Sequence, residues 1–257
     1  MESVALNYKK LGEGEPLIIL HGLFGSLDNW MTLAKKWAEK YEVWLVDQRN
    51  HGKSPHTDQH SYSLMAEDLL QFLKEHNIEK ANVLGHSMGG KTAMEFAMQH
   101  PDKVDKLIVV DIAPVSYEVH HWRIINALES VDLKAITSRK EAEQQLAKKI
   151  EEQGVRLFLL KNLDRLGEGE YQWKFNLHLL KEEIVPISEW AISEGEFVKK
   201  TLFIKGENSN YILAEYGAAI AKKFPNYQVE EIEKAGHWVH AEAPKAFFEI
   251  VNQFLEK

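Results

Sequence analysis

Short apolar runs alternate along this chain with longer segments in which apolar residues recur every three or four positions. The first pattern is typical of strands buried on both faces, and the second of amphipathic helices. Val4, Leu6 and Tyr8 alternate with polar residues, which predicts an edge strand. Single helices between buried strands predict an α/β fold with a doubly wound, mostly parallel sheet. The buried strands are predicted at residues 16–20, 42–46, 81–84, 106–110, 201–204 and 227–232, and the helices at 28–37, 61–76, 88–100, 213–224 and 244–255.

The alternation of strands and helices stops after Asp111. Roughly ninety residues separate Asp111 from the strand at 201–204, whereas a single crossover helix needs about 12 to 20. A capping-box pattern at Ser138-x-x-Glu141 and apolar clusters at 155–160 and 177–184 predict further helices here.

We therefore predict that the chain is divided into two parts. Residues 1–115 and 196–257 form the α/β core, and residues 116–195, the cap segment, form a helical insertion. The cap segment is expected to lie over the carboxyl ends of the strands, where ligands bind in open α/β sheets. A helical insertion without a role in binding is the alternative.

The composition excludes several classes of function. The chain is 44% hydrophobic with seven tryptophans, which is typical of a globular protein. Its 31 basic and 39 acidic residues give a net charge of −8, so we expect no nucleic-acid partner. The absence of cysteine excludes disulfides, thiolate metal sites and a cysteine nucleophile. The first ten residues lack the apolar segment of a secretion signal, and no run is long enough to span a membrane, so a cytoplasmic location is expected.

The pentapeptide from Gly85 to Gly89, Gly-His-Ser-Met-Gly, supplies a candidate nucleophile. The G-x-S-x-G pattern places a serine on a strained corner between strand and helix, with glycines that leave room for both elements. Backbone N–H groups at the helix start can then stabilise a negatively charged oxygen. A chain of this length contains the pattern by chance about one time in ten. The apolar strand before Ser87 and the helix after it favour a nucleophile over a glycine-rich turn with an uninvolved serine.

A nucleophilic serine needs a base that accepts its proton and a third group that orients this base. The chain contains 12 histidines, so their positions have to discriminate between them. His237 follows the last predicted strand after a small Ala235-Gly236 turn, which places it at the same edge of the sheet as Ser87. We therefore expect His237 to be the base and His240 to be a surface or supporting residue.

Longer motifs carry a resemblance to a known family. Together with His21-Gly22, the segments at residues 47–55, 85–90 and 236–242 resemble the α/β-hydrolase superfamily over the whole chain. More narrowly, residues 47–55, 110–115, 206–210 and 236–242 resemble the YbfF-type esterases. The resemblance implies a serine carboxylesterase that needs no cofactor and no metal. It also implies activity on short acyl esters, with acyl-CoA thioesters as further candidate substrates.

The acid of the triad follows from the resemblance alone. Most members of the superfamily carry it where this chain has Ser209, which cannot act as a carboxylate. The resemblance to YbfF-type enzymes instead implies Asp111 as the acid, with Ser209 as a supporting hydrogen-bonding residue. Glu207 is the rival acid, and Asp111 as a simple turn or helix cap is the structural alternative.

The expected mechanism adds an oxyanion hole and a substrate pocket. The backbone N–H groups of Leu23 and Met88 are expected to hold the oxyanion, with Phe24 as the alternative to Leu23. The substrate pocket is predicted to involve Phe24, Trp122, Trp173 and Trp238.

The expected substrate is a small-molecule ester or thioester, and the protein is expected to be a monomer or homodimer. Two other functions stay open on the same fold. One is a cofactor-free perhydrolase or small-molecule lyase that uses Ser87 and His237, and the other is a ligand-binding protein with negligible turnover.

Overall fold

Seven strands of the chain form one twisted sheet in the structure, a computed structural model that describes residues 3–167, 169–190 and 194–257. Within these ranges the strands are β1 (Tyr8–Leu11), β2 (Glu15–Leu20), β3 (Tyr41–Val46), β4 (Ala81–His86), β5 (Val104–Val110), β6 (Leu163–Gly167), β7 (Glu170–Trp173), β8 (Thr201–Gly206) and β9 (Tyr227–Ile232). The sheet has the order β1-β3-β2-β4-β5-β8-β9. Only the edge strand β1 pairs in antiparallel fashion, which confirms the predicted mostly parallel sheet.

Helices cover both faces of this sheet. They are α1 (Met31–Trp37), α2 (Tyr62–Glu75), α3 (Met88–Gln99), α4 (Trp122–Glu129), α5 (Arg139–Leu146), α6 (Gln153–Leu160), α7 (Leu177–Glu182), α8 (Ile184–Ser188), α9 (Gly217–Lys223), α10 (Val239–Glu242) and α11 (Pro244–Leu255). Short 3-10 turns at Leu27–Trp30, Pro101–Lys103 and Ala214–Tyr216 complete the described elements. No helix within the described ranges combines the length and the apolar character needed to cross a lipid bilayer.

The two faces of the sheet have separate hydrophobic cores. On one face, α2 and α3 contribute Leu69, Phe72 and Phe96 to the core. On the other face, α1 and α11 contribute Trp37 and Phe247. Because both faces are covered, the central strands carry continuous apolar runs, and every residue of β4 is buried.

The cap segment lies between β5 and β8 and contains α4 to α8. It also contains a two-stranded antiparallel hairpin of β6 and β7, so the prediction of an all-helical insertion was incomplete. Its apolar residues, such as Ile125 and Leu159, share a core with Leu23, Phe24 and Met88 of the α/β core. This shared core packs the cap segment against the loops that carry the predicted oxyanion hole. The boundaries at residues 116 and 195 stay a prediction.

Candidate active site

Ser87 occupies a strained corner between β4 and α3. Its backbone has a φ of 54° and a ψ of −119°, in a region that residues other than glycine rarely adopt. A Cβ atom at Gly85 would lie 2.1 Å from the Gly89 carbonyl oxygen, and one at Gly89 would lie 2.5 Å from the His21 carbonyl oxygen. Both positions therefore require glycine. The Ser87 N–H donates to the Val110 carbonyl at 3.0 Å, which ties the corner to the end of β5.

His237 and Asp111 form a hydrogen-bonded pair at the carboxyl ends of the strands. His237 lies in the loop between β9 and α10, and its Nδ1 is 2.7 Å from Oδ2 of Asp111. Asp111 follows β5 and is fully buried, and its N–H donates to the Ile204 carbonyl at 2.7 Å. Since a carboxylate only accepts, His237 carries its proton on Nδ1 in the neutral state. Its Nε2 is then able to take a proton from another group.

Two further donors hold the Asp111 carboxylate. The Gly206 N–H donates to Oδ1 at 3.0 Å, and the Ser209 hydroxyl donates to Oδ2. Tyr211, two residues beyond Ser209, stacks on the His237 ring with 4.2 Å between ring centroids. Glu207 instead accepts from the Lys234 N–H at 2.7 Å and is exposed. The structure thus brings Asp111 and Ser209, and not Glu207, to the same cluster as His237.

The Ser87 corner lies next to the His237 loop. His86, the residue before Ser87, donates from Nε2 to the His237 carbonyl at 2.9 Å, and the two rings have centroids 4.7 Å apart. The Ser87 hydroxyl does not cap α3, and within the described ranges no hydrogen bond joins it to the His237 ring.

The predicted oxyanion donors differ in the acceptors available to them. The Phe24 N–H donates to Nε2 of His51 at 3.3 Å, whereas the Leu23 and Met88 N–H groups have no acceptor among the described residues. This arrangement favours Leu23 over Phe24. A Cβ atom at Gly22 would lie 3.3 Å from the Ser87 Cβ, so the Leu23 loop runs directly beside the candidate nucleophile.

His51 braces this loop and was not assigned that contact from the sequence. Its Nδ1–H donates to the Arg49 carbonyl at 3.0 Å, which leaves Nε2 as the acceptor for the loop amide. Burial, followed by the nearby charges of His21 and His60, lowers the pKa of His51 well below its ordinary value. His51 is therefore neutral, as its role as an acceptor requires. In the sequence, the place of His51 in the motif at residues 47–55 was the available indication that it has a role.

The predicted pocket residues lie in different surroundings. Trp173 is buried and stacks on Phe175, which in turn contacts Phe24, with ring centroids 5.5 and 5.2 Å apart. Trp122 is the first residue of α4 and is 42% exposed. Trp238 contacts both the His237 ring and Phe158 of α6.

Trp238 also lines a cavity of about 600 Å³ between the cap segment and the loop after His237. Its wall is mainly apolar and includes a few charged side chains. His240, which was predicted to be a surface or supporting residue, is only 5% exposed and forms part of this wall. The other lining residues are Asn29, Arg123, Ile124, Glu152, Gly154, Val155, Leu157, Phe158, Lys161, Ala241 and Glu242.

Comparisons with known proteins show the family of the chain. Residues 15–127 match the family model described as the alpha/beta hydrolase fold. The chain is 38% identical to esterase YbfF of Escherichia coli strain K12, and the match covers 93% of this chain and 92% of the relative. The chain belongs to the α/β-hydrolase family. This α/β-hydrolase is also 38% identical to the sn-1-specific diacylglycerol lipase ABHD11 of Mus musculus, over 93% of its own length and 80% of the relative's.

A solved structure extends the agreement to three dimensions. The marine microorganism esterase is 46% identical to this α/β-hydrolase and superposes with a TM-score of 0.94, covering 98% of this chain and 100% of that one. The named relatives are esterases and lipases, which supports ester hydrolysis as the general activity of this α/β-hydrolase.

Proposed function

We propose that this α/β-hydrolase is a serine carboxylesterase that works through an acyl-enzyme on Ser87. The observation that carries the proposal is the hydrogen bond between His237 and the buried Asp111, formed beside a strained serine corner. A buried carboxylate of this kind fixes the tautomer of the histidine and stabilises its protonated form. Relatives that are named as esterases and lipases support the same chemistry.

In the proposed reaction, His237 Nε2 takes the proton of the Ser87 hydroxyl while the serine oxygen attacks the ester carbonyl. The N–H groups of Leu23 and Met88 hold the negatively charged oxygen of the tetrahedral intermediate. The protonated His237 then donates its proton to the departing alcohol, which leaves the acyl group on Ser87. Water, deprotonated by His237, then attacks this ester. The acyl–oxygen bond to Ser87 breaks, the carboxylic acid leaves, and the protonated His237 returns its proton to the Ser87 oxygen.

The shape of the site favours substrates with an apolar chain. The mainly apolar cavity of about 600 Å³ falls within the usual range for small-molecule sites, and Trp238, which lines it, contacts the His237 ring. An acyl-CoA thioester would react by the same steps, because a thiolate leaves at least as readily as an alkoxide. We therefore propose carboxylic esters as substrates and acyl-CoA thioesters as a second substrate class.

Covalent labelling tests the nucleophile. The protein should react with a fluorophosphonate probe at Ser87, and Ser87→Ala should abolish the labelling. Ser130→Ala, at an exposed serine in the cap segment, is the matched control and should label normally.

Turnover of p-nitrophenyl esters of increasing chain length then tests the reaction. We expect hydrolysis by the wild type and none above background by Ser87→Ala. Labelling of Ser87 without cleavage of any ester or thioester would contradict the proposal and favour a perhydrolase or a lyase. Absence of labelling would instead favour a ligand-binding protein.

A further inference from the structure

One buried side chain, His86, contacts each of the three parts from which the candidate site is built. It directly precedes Ser87 and is 3% exposed. Its Nε2–H donates to the backbone carbonyl of His237 at 2.9 Å. On the loop that carries Leu23, a Cβ atom at Gly22 would lie 2.8 Å from Nδ1 of His86. The ring therefore lies between the loop that carries His237, the base loop, and the loop that carries Gly22 and Leu23, the oxyanion loop.

The bond from His86 joins residues that are 151 positions apart in the chain. It is a direct link between the neighbour of the nucleophile and the backbone of the base. The covalent path from Ser87 to His237, in contrast, runs through the cap segment and β8 and β9. The distance between the reacting atoms of Ser87 and His237 consequently depends on how the corner that carries Ser87 and the loop that carries His237 are held together.

His86 is suited to donate this bond without adding a charge beside the base. Burial, followed by the charges of His237 and His240, lowers the pKa of His86 well below its ordinary value. A neutral ring whose Nε2 carries the proton donates to the carbonyl and does not repel the protonated His237 that forms during the reaction. The rings of His240 and Trp30 pack around it, with centroids 4.8 and 6.5 Å away.

A second group also holds the loop that carries His237. Glu242 of α10 accepts from the Gly236 N–H at 2.6 Å and from the Trp238 N–H at 3.2 Å. Its carboxylate thus binds the amides on both sides of His237, and His86 binds the carbonyl of His237 itself. These three hydrogen bonds fix the backbone of His237.

We propose that His86 is a positioning residue that sets the distance between Ser87 and His237 by its bond to the His237 carbonyl, with Glu242 fixing the same loop from α10. The proposal rests on the esterase function proposed above. It differs from a purely structural role, because it assigns the bond an effect on the reaction steps that involve His237. A misplacement of about 1 Å in a catalytic group can cost on the order of 10²-fold in rate.

Two variants of similar size distinguish the effect of losing the hydrogen bond from the effect of changing the packing. His86→Gln places an amide N–H near the position of Nε2, whereas His86→Met fills similar space without a donor. For each variant, the fluorophosphonate counts the active sites, and kcat per labelled site and KM are measured with a p-nitrophenyl ester. We expect His86→Met to lower kcat by about 10²-fold with little change in KM. His86→Gln should stay within about threefold of the wild type.

The result that overturns the proposal is equally specific. If His86→Met keeps the wild-type kcat per labelled site, or if His86→Gln loses as much kcat as His86→Met, the bond does not position the base. Glu242→Gln retains one acceptor oxygen, and it should lose less kcat than Glu242→Ala.

An NMR measurement on the wild type is independent of turnover. Long-range ¹⁵N–¹H spectra of the histidine rings should show His86 as the neutral Nε2–H form from pH 5.5 to 8. An Nδ1–H form would overturn the positioning role even if the enzyme is active. If instead Ser87 fails to label while His86 shows the Nε2–H form, the esterase function fails and the link between the loops stands.

Discussion

Three donors surround the Asp111 carboxylate: the His237 ring, the Ser209 hydroxyl and the Gly206 amide. Because the Gly206 N–H can only donate, the Oδ1 position next to it must be an acceptor. An amide group placed at Asp111 would therefore keep its oxygen at Oδ1 and put its NH₂ group at the Oδ2 position. There it would face Nδ1 of His237 as a donor and favour the opposite tautomer, with the proton on Nε2.

Asp111→Asn should therefore lower kcat by about 10³- to 10⁴-fold, because His237 could no longer accept the Ser87 proton at Nε2. The shape of the side chain is kept, so the fold should be retained. Steady-state hydrolysis of a p-nitrophenyl ester measures the loss, and circular dichroism checks the fold.

Glu207→Gln is the matched control for this substitution. Glu207 is exposed and accepts from the Lys234 N–H, so its variant should keep nearly full activity. Loss of turnover in Glu207→Gln together with an active Asp111→Asn would transfer the role of the acid to Glu207.

Helix α3 serves two purposes, since it begins next to Ser87 and carries Lys91 one turn later. The Lys91 side chain is buried, and Nζ donates to the carbonyls of Ser188 and Glu189 at 2.8 Å each and to that of Ile187 at 3.4 Å. The Tyr62 hydroxyl also donates to the Ile187 carbonyl. The helix that presents the nucleophile therefore also holds the end of α8, where the chain leaves the last helix of the cap segment.

Lys91→Met should weaken this attachment, because it leaves buried carbonyls without their donor. We expect the free energy of unfolding to fall by about 2 to 4 kcal/mol. Amide hydrogen exchange should increase most at residues 184–189, which lie closest to the lost bonds.

The exposed Lys35→Met on α1 is the control and should change stability by less than about 0.5 kcal/mol. If hydrogen exchange at 184–189 stays at the wild-type rate in Lys91→Met, the attachment does not depend on this lysine. Urea unfolding provides the stability values for both variants.

Elements with a continuous apolar run were predictable from the sequence, because burial on both faces leaves an unambiguous pattern in β4 and β5. The hairpin of β6 and β7 was not, since four of the five β6 residues are at least partly exposed and its strands pair only with each other. The position of Ser87 followed from its pentapeptide and that of His237 from strand order. The bonds of His51 to the Phe24 amide and of His86 to the His237 carbonyl join residues 27 and 151 positions apart, so the sequence does not indicate these partners.

Several buried histidines make the stability of the whole molecule sensitive to acid. Burial lowers the pKa of His240 to about 3, and burial together with the charge of Arg49 lowers the pKa of His60 to about 3. Both rings stay neutral in the folded protein at pH 5, whereas in the unfolded chain they gain protons below about pH 6.5. The unfolded state then binds more protons, so stability falls as the pH drops from about 6.5 toward 3.

His240→Gln should flatten this dependence by about 1.2 kcal/mol per pH unit between pH 6 and pH 5, because the unfolded chain binds most of one proton at this ring there. Urea unfolding at a series of pH values measures the slope, which is compared with that of the wild type. The absolute stability of the variant does not enter the comparison. His178→Gln, at an exposed position in α7, is the control and should leave the slope unchanged. A slope in His240→Gln that equals the wild-type slope would contradict the prediction.

The chain departs from the sheet after β5 and rejoins it at β8, and these two strands are hydrogen-bonded neighbours. The two ends of the cap segment are therefore held by neighbouring strands of the sheet, whatever the length of the segment between them. Since the entropic cost of closing such a loop rises by only about 0.6 kcal/mol for each doubling of its length, the excursion tolerates large changes in size. Replacement of this one continuous segment can therefore change the substrate preference. The residues proposed to carry out the reaction, Ser87, Asp111 and His237, lie outside it and stay unchanged.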